Sequence, residues 1–185
     1  PEGVRYFEQH HPNIKIVPHE ANSSEIIDAI RENNIDAGFV HIPAKGMFVA
    51  PVYKDRFAVV VPDNHPFAGK KSISLNALFD EPLIVSKGRY EMSIMSLFAG
   101  MNITPNIKYE FNHPTTAMSF IRQGLGIALL PELTLKTLEQ PLRSVPLEPP
   151  FYRQVSLIAN EPPVSGSPLQ LLHDCLHQLV RDGHI

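Results

Sequence analysis

The chain reads as an α/β protein, and three observations carry that reading. Residues 106–131, NIKYEFNHPTTAMSFIRQGLGIALLP, place an alternating apolar run, a polar turn, an amphipathic helical pattern, a Gly-Leu-Gly stop and a second apolar run in unbroken succession. Residues 14–43, IKIVPHEANSSEIIDAIRENNIDAGFVHIP, repeat the same β-turn-α-β order. Between and beyond them, strand and helix patterns alternate, which predicts substantially parallel sheets.

Taken in order, Val4, Tyr6 and Phe7 form the apolar side of a helix that the His11-Pro12 step closes. Ile14, Ile16 and Val17 follow as an expected strand. Asn22 and Glu25 stand at capping-box spacing ahead of the stripe Ile26, Ile27 and Ile30, and Asn33-Asn34 end that helix. Residues 35–42 read as a buried strand. A pair of strands, 47–53 and 57–61, leads into Pro62-Asp63-Asn64-His65-Pro66, a density of turn residues that marks a change of direction. A short helix over 74–79, a strand over 82–85 and a helix over 90–99 come next. The 106–131 unit follows, with a short strand at 142–145 after it. The proline-rich LEPPFYR at 147–153 reads as a second boundary. A strand over 154–159 and a final helix carrying Leu169, Leu172, Leu176 and Leu179 complete the chain.

Composition narrows the function classes. The 185 residues are 43% hydrophobic, with no apolar run of about 18 residues of the kind that spans a bilayer. The net charge of -3 offers no basic surface for phosphates, so this chain alone is expected to hold DNA poorly. Cys175 is the only cysteine, which excludes an internal disulfide and fits a reducing, cytoplasmic setting. Its leucine-rich neighbourhood reads as a helix with an inert thiol. The start, PEGVRYFEQHHP, has no charged and then apolar region of a signal peptide.

Three polar turns are candidate ligand contacts, because open α/β sheets bind ligands at the carboxyl ends of their strands and helix starts favour anions. The first is Asn22-Ser23, where helix capping competes with ligand contact. The second is His41 with Pro43, at the end of the 35–42 strand. The third pairs Ser86, Lys87, Gly88 and Tyr90 with Asn112, His113 and Thr115. Gly88 permits close backbone approach, and Pro114 suits a first helical turn, where its missing N–H costs nothing. Capping by Ser86, Asn112 or His113 is the structural alternative. Donors dominate these turns, so a small anionic or carboxylate ligand is expected.

Other chemistries find little support. His173-Asp174-Cys175-Leu176-His177 sets two imidazoles at i and i+4, but no third ligand follows at a fixed spacing, so a solvated helix edge and no metal are expected. No Gly-x-Ser-x-Gly nucleophile motif is present, and Gly124-Leu125-Gly126 ends a helix instead of cradling phosphate. No catalysis and no cofactor are expected.

Four segments, FEQHHPNIKI, IIDAIRENNIDAGFVHIP, VVVPDNHPFAGKKSISLNALFDEPLIVSKG and MSFIRQGLGIALLP, stand in an order and spacing that resemble the effector-binding domain of LysR-type transcriptional regulators. The resemblance covers nearly the whole chain. It implies a periplasmic-binding-protein-like (type II) fold, two α/β lobes joined by two crossing strands near residues 60–63 and 151–154, with a small effector in the interlobe cleft. Residues 1–61 and 154–185 would form lobe I and residues 62–153 lobe II. The family's winged helix-turn-helix and linker helix, and its first strand of lobe I, would precede Pro1. The three turns above then fall where the family's cleft lies, although Lys87, Arg89 and Tyr90 are bulkier than the small hydroxyl residues common there. A homodimer or homotetramer, DNA contact through the absent helix-turn-helix, a contact with RNA polymerase and no membrane association are the further implications. A solute-binding protein of a transporter shares the fold and is the rival reading.

Overall fold

The computed structural model describes residues 2–88, 90–135 and 142–183. The chain divides into two compact units, residues 1–54 with 154–185 and residues 55–153. Strand β2 (Phe48–Pro62) leads from the first unit into the second, and strand β8 (Tyr152–Ala159) leads back.

Unit 1 opens with α1 (Glu2–His10) and α2 (Ser23–Arg31), followed by β1 (Gly38–Val40). α2 starts where the sequence predicts. The Asn22 side chain accepts from the Glu25 N–H at 3.0 Å, and the Glu25 carboxylate accepts from the Asn22 N–H at 3.0 Å. This reciprocal cap satisfies two N–H groups that a helix start otherwise leaves open. Ile26, Ile27 and Ile30 are buried and pack with Val40, Ala44 and Ile158. The approach of α2 to β1 is close enough that a side chain at Gly38 would collide with Ile26. On the other side, Ala50, Val52, Leu157 and Leu176 form a second cluster beneath α6 (Pro168–Arg181), the final helix, which also packs on α1.

Three expectations fail in this unit. Residues 14–17 form no strand, for although Ile14 and Ile16 are half-buried in alternation, Val17 is 63% exposed and the segment joins no ladder among the described residues. Alternation reports which face is covered; a strand also needs a neighbour for its N–H and C=O groups. The 35–42 strand contracts to β1, because Ile35 is drawn into the end of α2 by a bond from its N–H to the Ala29 carbonyl at 3.4 Å. And β1 pairs antiparallel with β8 (Tyr152–Ala159), Gly38 opposite Ile158 and Val40 opposite Ser156.

The segments read as two strands, 47–53 and 57–61, are one strand, β2 (Phe48–Pro62). The charged triplet Lys54-Asp55-Arg56 breaks the apolar pattern without breaking the backbone. In unit 2, β2 pairs antiparallel on one side with β6 (Ala128–Pro131) and on the other with β7 (Leu142–Glu148). A short β3 (Ile73–Ser74) adds to β7 in parallel, followed by a 3-10 turn at Leu75–Leu78. The sheet around β2 is therefore largely antiparallel, contrary to the expectation from alternating patterns.

A second parallel pair is β4 (Leu83–Ser86) with β5 (Ile107–Phe111). Helix α3 (Glu91–Ala99) joins them, and α4 (Pro114–Arg122) carries the chain from β5 to β6, whose lead-in residue Ile127 bridges Leu83 in parallel. This is the βαβ unit predicted at 106–131. A short α5 (Glu132–Leu135) follows β6. The core of unit 2 gathers the all-buried strands β4 and β6 with Phe57, Phe98 and Ile121.

The two glycines of the Gly-Leu-Gly stop have different reasons to be glycine. Gly124 takes φ 68°, the left-handed conformation that reverses the chain after α4. Gly126 is set by close packing, since a Cβ there would collide with the Pro82 carbonyl oxygen and crowd Ile84.

Candidate functional site

The carboxyl ends of β4 and β5 bring two of the predicted turns together. Their parallel register sets Ser86 beside Phe111, and the Lys87 N–H donates to the Phe111 carbonyl at 2.7 Å. Residues 86–88 and 112–113 thus leave the sheet side by side. Gly88 turns the chain at φ 70°, and its N–H faces the Glu91 carboxylate at 3.5 Å.

Ser86 is 2% exposed, and among the described residues its Oγ has no hydrogen-bond partner. A buried hydroxyl left unpaired costs about 1–3 kcal/mol, so such a group is unusual in a settled core. The capping alternative is not realised by Ser86, nor by His113, which stands at the N-cap of α4 without a side-chain capping bond, its carbonyl accepting from the N–H groups of Thr116 at 3.2 Å and Ala117 at 3.3 Å. Pro114 occupies the first helical turn, as predicted. The side chains of Asn112, His113 and Thr115 are exposed.

Lys87 and Tyr90 are engaged within the protein. The Lys87 ammonium pairs with Glu110 at 3.3 Å on the surface, which leaves its charge partly neutralised. Tyr90 is buried, its hydroxyl 2.9 Å from the Thr134 hydroxyl and its ring edge-on to Phe57. Arg89 lies outside the described residues.

In unit 1, Ser23 and His41 meet. Ser23 is the first residue of α2, nearly buried, and its hydroxyl lies 3.1 Å from His41 Nδ1. The helix start and the end of β1 are therefore joined through two polar side chains 18 positions apart. Asn22, beside them, is committed through its side-chain oxygen to the cap. Pro43 is exposed in the turn after β1.

Sequence reasoning missed one polar cluster. Asp55 is fully buried and accepts from Arg153 Nε at 3.0 Å, Arg153 Nη2 at 2.7 Å and the Leu133 N–H at 3.1 Å. The Arg153 guanidinium also lies over the Tyr90 ring, 5.1 Å from its centre. One carboxylate thus ties β2, β8 and the start of α5, and through Arg153 it supports the residue at the N-cap of α3. An acid interrupting an apolar strand pattern was its only trace in the sequence.

At the chain's end, His173 and His177 are half-buried, not freely solvated, with their Nε2 atoms 3.1 Å apart. Hydrogen bonds from Gln170 and His173 hold the Asp174 carboxyl below its ordinary range. Burial, with the Asp174 charge adding to it, pushes the Cys175 thiol up, which favours the unreactive protonated form. Among the described residues there is no cluster of three or more metal-ligating side chains, and no helix is long and apolar enough to cross a membrane.

Comparison with known proteins gives a consistent picture. The family model described as the LysR substrate binding domain matches residues 1–181. The chain is 33% identical over 159 residues, 85% of its length and 54% of the relative's, to YvbU of Bacillus subtilis (strain 168), described as an uncharacterized HTH-type transcriptional regulator. Its fold superposes on the BenM effector-binding domain with its effector benzoate at a TM-score of 0.88 and 23% identity, covering 100% of this chain and 87% of that one. It superposes on the effector-binding domain of QuiR in complex with shikimate at 0.82 and 22% identity, covering 98% and 90%. The fold is accordingly the periplasmic-binding-protein-like type II architecture. The chain spans about half the length of curated relatives such as YvbU, at 54%, and BenM of Acinetobacter baylyi, at 52%.

Proposed function

The chain belongs to the LysR substrate-binding domain family, and from that premise we propose that it is the ligand-sensing domain of a bacterial transcription regulator, recognising a small carboxylate at its strand-to-helix turns. The observation that carries this reading is the Ser86 hydroxyl, buried and unpartnered at the carboxyl end of a parallel strand. An effector carboxylate would supply the acceptor that Ser86 lacks once the turn that covers its hydroxyl opens. Asn112 stands on the adjoining turn as a second donor, with backbone N–H groups at the start of α4 behind it. Ser23 and His41 form the corresponding hydrogen-bonding pair of unit 1, next to Asn22 and Pro43. In unit 2, Gly88, His113 and Thr115 belong with Ser86 and Asn112, and Lys87 and Tyr90 act chiefly by holding the turn. The lobe partition of 1–61 with 154–185 and 62–153 belongs to the same proposal.

Chemistry on the relatives' side supports the carboxylate. Benzoate and shikimate, the ligands of the BenM and QuiR domains, are both small carboxylates. The reading makes the chain a binding module with no catalytic role of its own. In the full-length regulator, a homodimer or tetramer, DNA is held by the helix-turn-helix, RNA polymerase is a further partner, and the site of action is the cytoplasm. Effector binding shifts the regulator between states by its differential affinity for them, about 1–3 kcal/mol in typical allosteric coupling.

The test is a thermal-shift and calorimetric comparison of the chain with Ser86→Ala and Asn112→Leu, using a panel of small carboxylates. Ser86→Ala is expected to fold at least as stably as the parent, because it removes an unpaired buried hydroxyl, yet to bind about tenfold or more weakly. Asn112→Leu is expected to lose the response with folding intact. Unchanged affinity in both variants would remove these turns from the site.

A further inference from the structure

The imidazoles of α6 have a geometry that effector sensing does not use. His173 and His177 stand one helical turn apart, and their Nε2 atoms are 3.1 Å from each other with ring centres 4.4 Å apart. A cation at the usual nitrogen–zinc distance of about 2.0–2.1 Å from both would subtend about 95–102° between them, within the range of tetrahedral and octahedral sites. The other ring nitrogen of His173, Nδ1, lies 3.3 Å from the Asp174 carboxylate. That carboxylate is in turn oriented by the Gln170 amide at 2.8 Å. A ligating histidine commonly gives its second ring N–H to a carboxylate, which fixes the tautomer and raises the basicity of the ligating nitrogen. With the proton on Nδ1, Nε2 of His173 presents its lone pair toward His177.

We propose that His173 and His177 form a two-imidazole chelate for a borderline divalent transition cation, with Asp174 as the carboxylate that orients His173. The class follows from the donors, since imidazole suits Zn, Ni and Cu and a hard cation such as Mg prefers oxygen. With His173 in that tautomer, its Nε2 accepts from the His177 Nε2–H across 3.1 Å. On cation binding that proton moves through solvent to His177 Nδ1, and the cation takes its place between the two Nε2 atoms. Both rings are half-buried on an open surface that they line with Asp174, Gln178 and Arg181. Water fills the remaining coordination positions, and the positive charge of Arg181 lowers the affinity below that of a three-ligand site.

Titration of the chain with Zn²⁺ by calorimetry, in a buffer that does not chelate, tests the proposal. One equivalent is expected to bind, with His173→Ala and His177→Ala each weakening it at least tenfold. Asp174→Asn should weaken it by about 10- to 100-fold, the range for loss of an orienting partner, while His10→Ala, whose ring is bonded to the Tyr6 carbonyl, leaves it unchanged. In the parent chain, ring nitrogen NMR signals of His173 and His177 should shift with the first equivalent, ahead of the other histidines. Absence of one-equivalent binding, retention of it in both alanine variants, or earlier shifts at other histidines overturns the site.

Discussion

Replacing Arg153 with methionine isolates the polar cluster that joins β2, β8 and α5. Asp55 is fully buried, and of its three hydrogen bonds among the described residues two come from Arg153, both to Oδ2. Only the Leu133 N–H, on Oδ1, survives the substitution. A hydrogen bond to a charged group contributes about 1.5–3 kcal/mol, so two give about 3–6 kcal/mol. Breaking a buried ion pair by removing one partner costs about 3–5 kcal/mol. Methionine retains much of the side chain's volume but loses the cation over Tyr90, a further contact worth about 0.5–2 kcal/mol. The expected loss is therefore about 3–5 kcal/mol, a large share of the 5–15 kcal/mol typical of folded domains. Urea unfolding, with midpoint and slope compared between variants, measures it. The double variant Asp55→Leu with Arg153→Met provides the second reading, because exchanging both charges for apolar groups is often close to neutral. A single-variant loss under about 1 kcal/mol, or a double variant no more stable than the single one, would refute the view that an uncompensated Asp55 charge is what destabilises.

Two further substitutions test local parts of the account. Gly126→Ala should lower stability by about 1–3 kcal/mol through overpacking against the Pro82 carbonyl and Ile84, whereas Gly69→Ala, which has open space around it, should change little; thermal melts of the pair decide. Asn22→Ala removes the side-chain half of the capping box and is expected to destabilise by about 0.5–2 kcal/mol in urea unfolding, with Asn22→Ser recovering most of it.

What the sequence made legible was mostly local. The capping box rests on a spacing of three residues, and Pro114, Gly124 and the apolar stripes of α2, α4 and α6 are equally short-range signals. The errors arose where a partner far along the chain decides the outcome. Ile14 and Ile16 alternate like a strand, but a ladder needs a neighbour that alternation cannot report. Lys54-Asp55-Arg56 looked like a break between two strands because the guanidinium that neutralises Asp55 lies 98 positions away. Sheet direction was misjudged for the same reason, since β1 and β2 find their partners in β8, β6 and β7 and not in adjacent βαβ repeats.

The candidate site divides along the same line. The turns at 86–88 and 112–113 could be placed from their strand-to-helix positions, and the β4–β5 register accounts for their adjacency. That the Ser86 hydroxyl is sealed from solvent without a partner depends on the packing around it. The engagement of Lys87 with Glu110 and of Tyr90 with Thr134 is likewise a tertiary matter. Both residues read from the sequence as available donors.

Carboxylate recognition is tested most directly by a calorimetric titration of the chain with small carboxylates, benzoate and shikimate among them, each paired with its neutral amide. At least one carboxylate should bind, and its amide should not. At a hundredfold excess over the dissociation constant, that carboxylate should add about 2.7 kcal/mol to the unfolding free energy. Binding confined to the neutral compounds, or carboxylate binding that Ser86→Ala and Asn112→Leu leave untouched, would contradict recognition at the strand-to-helix turns.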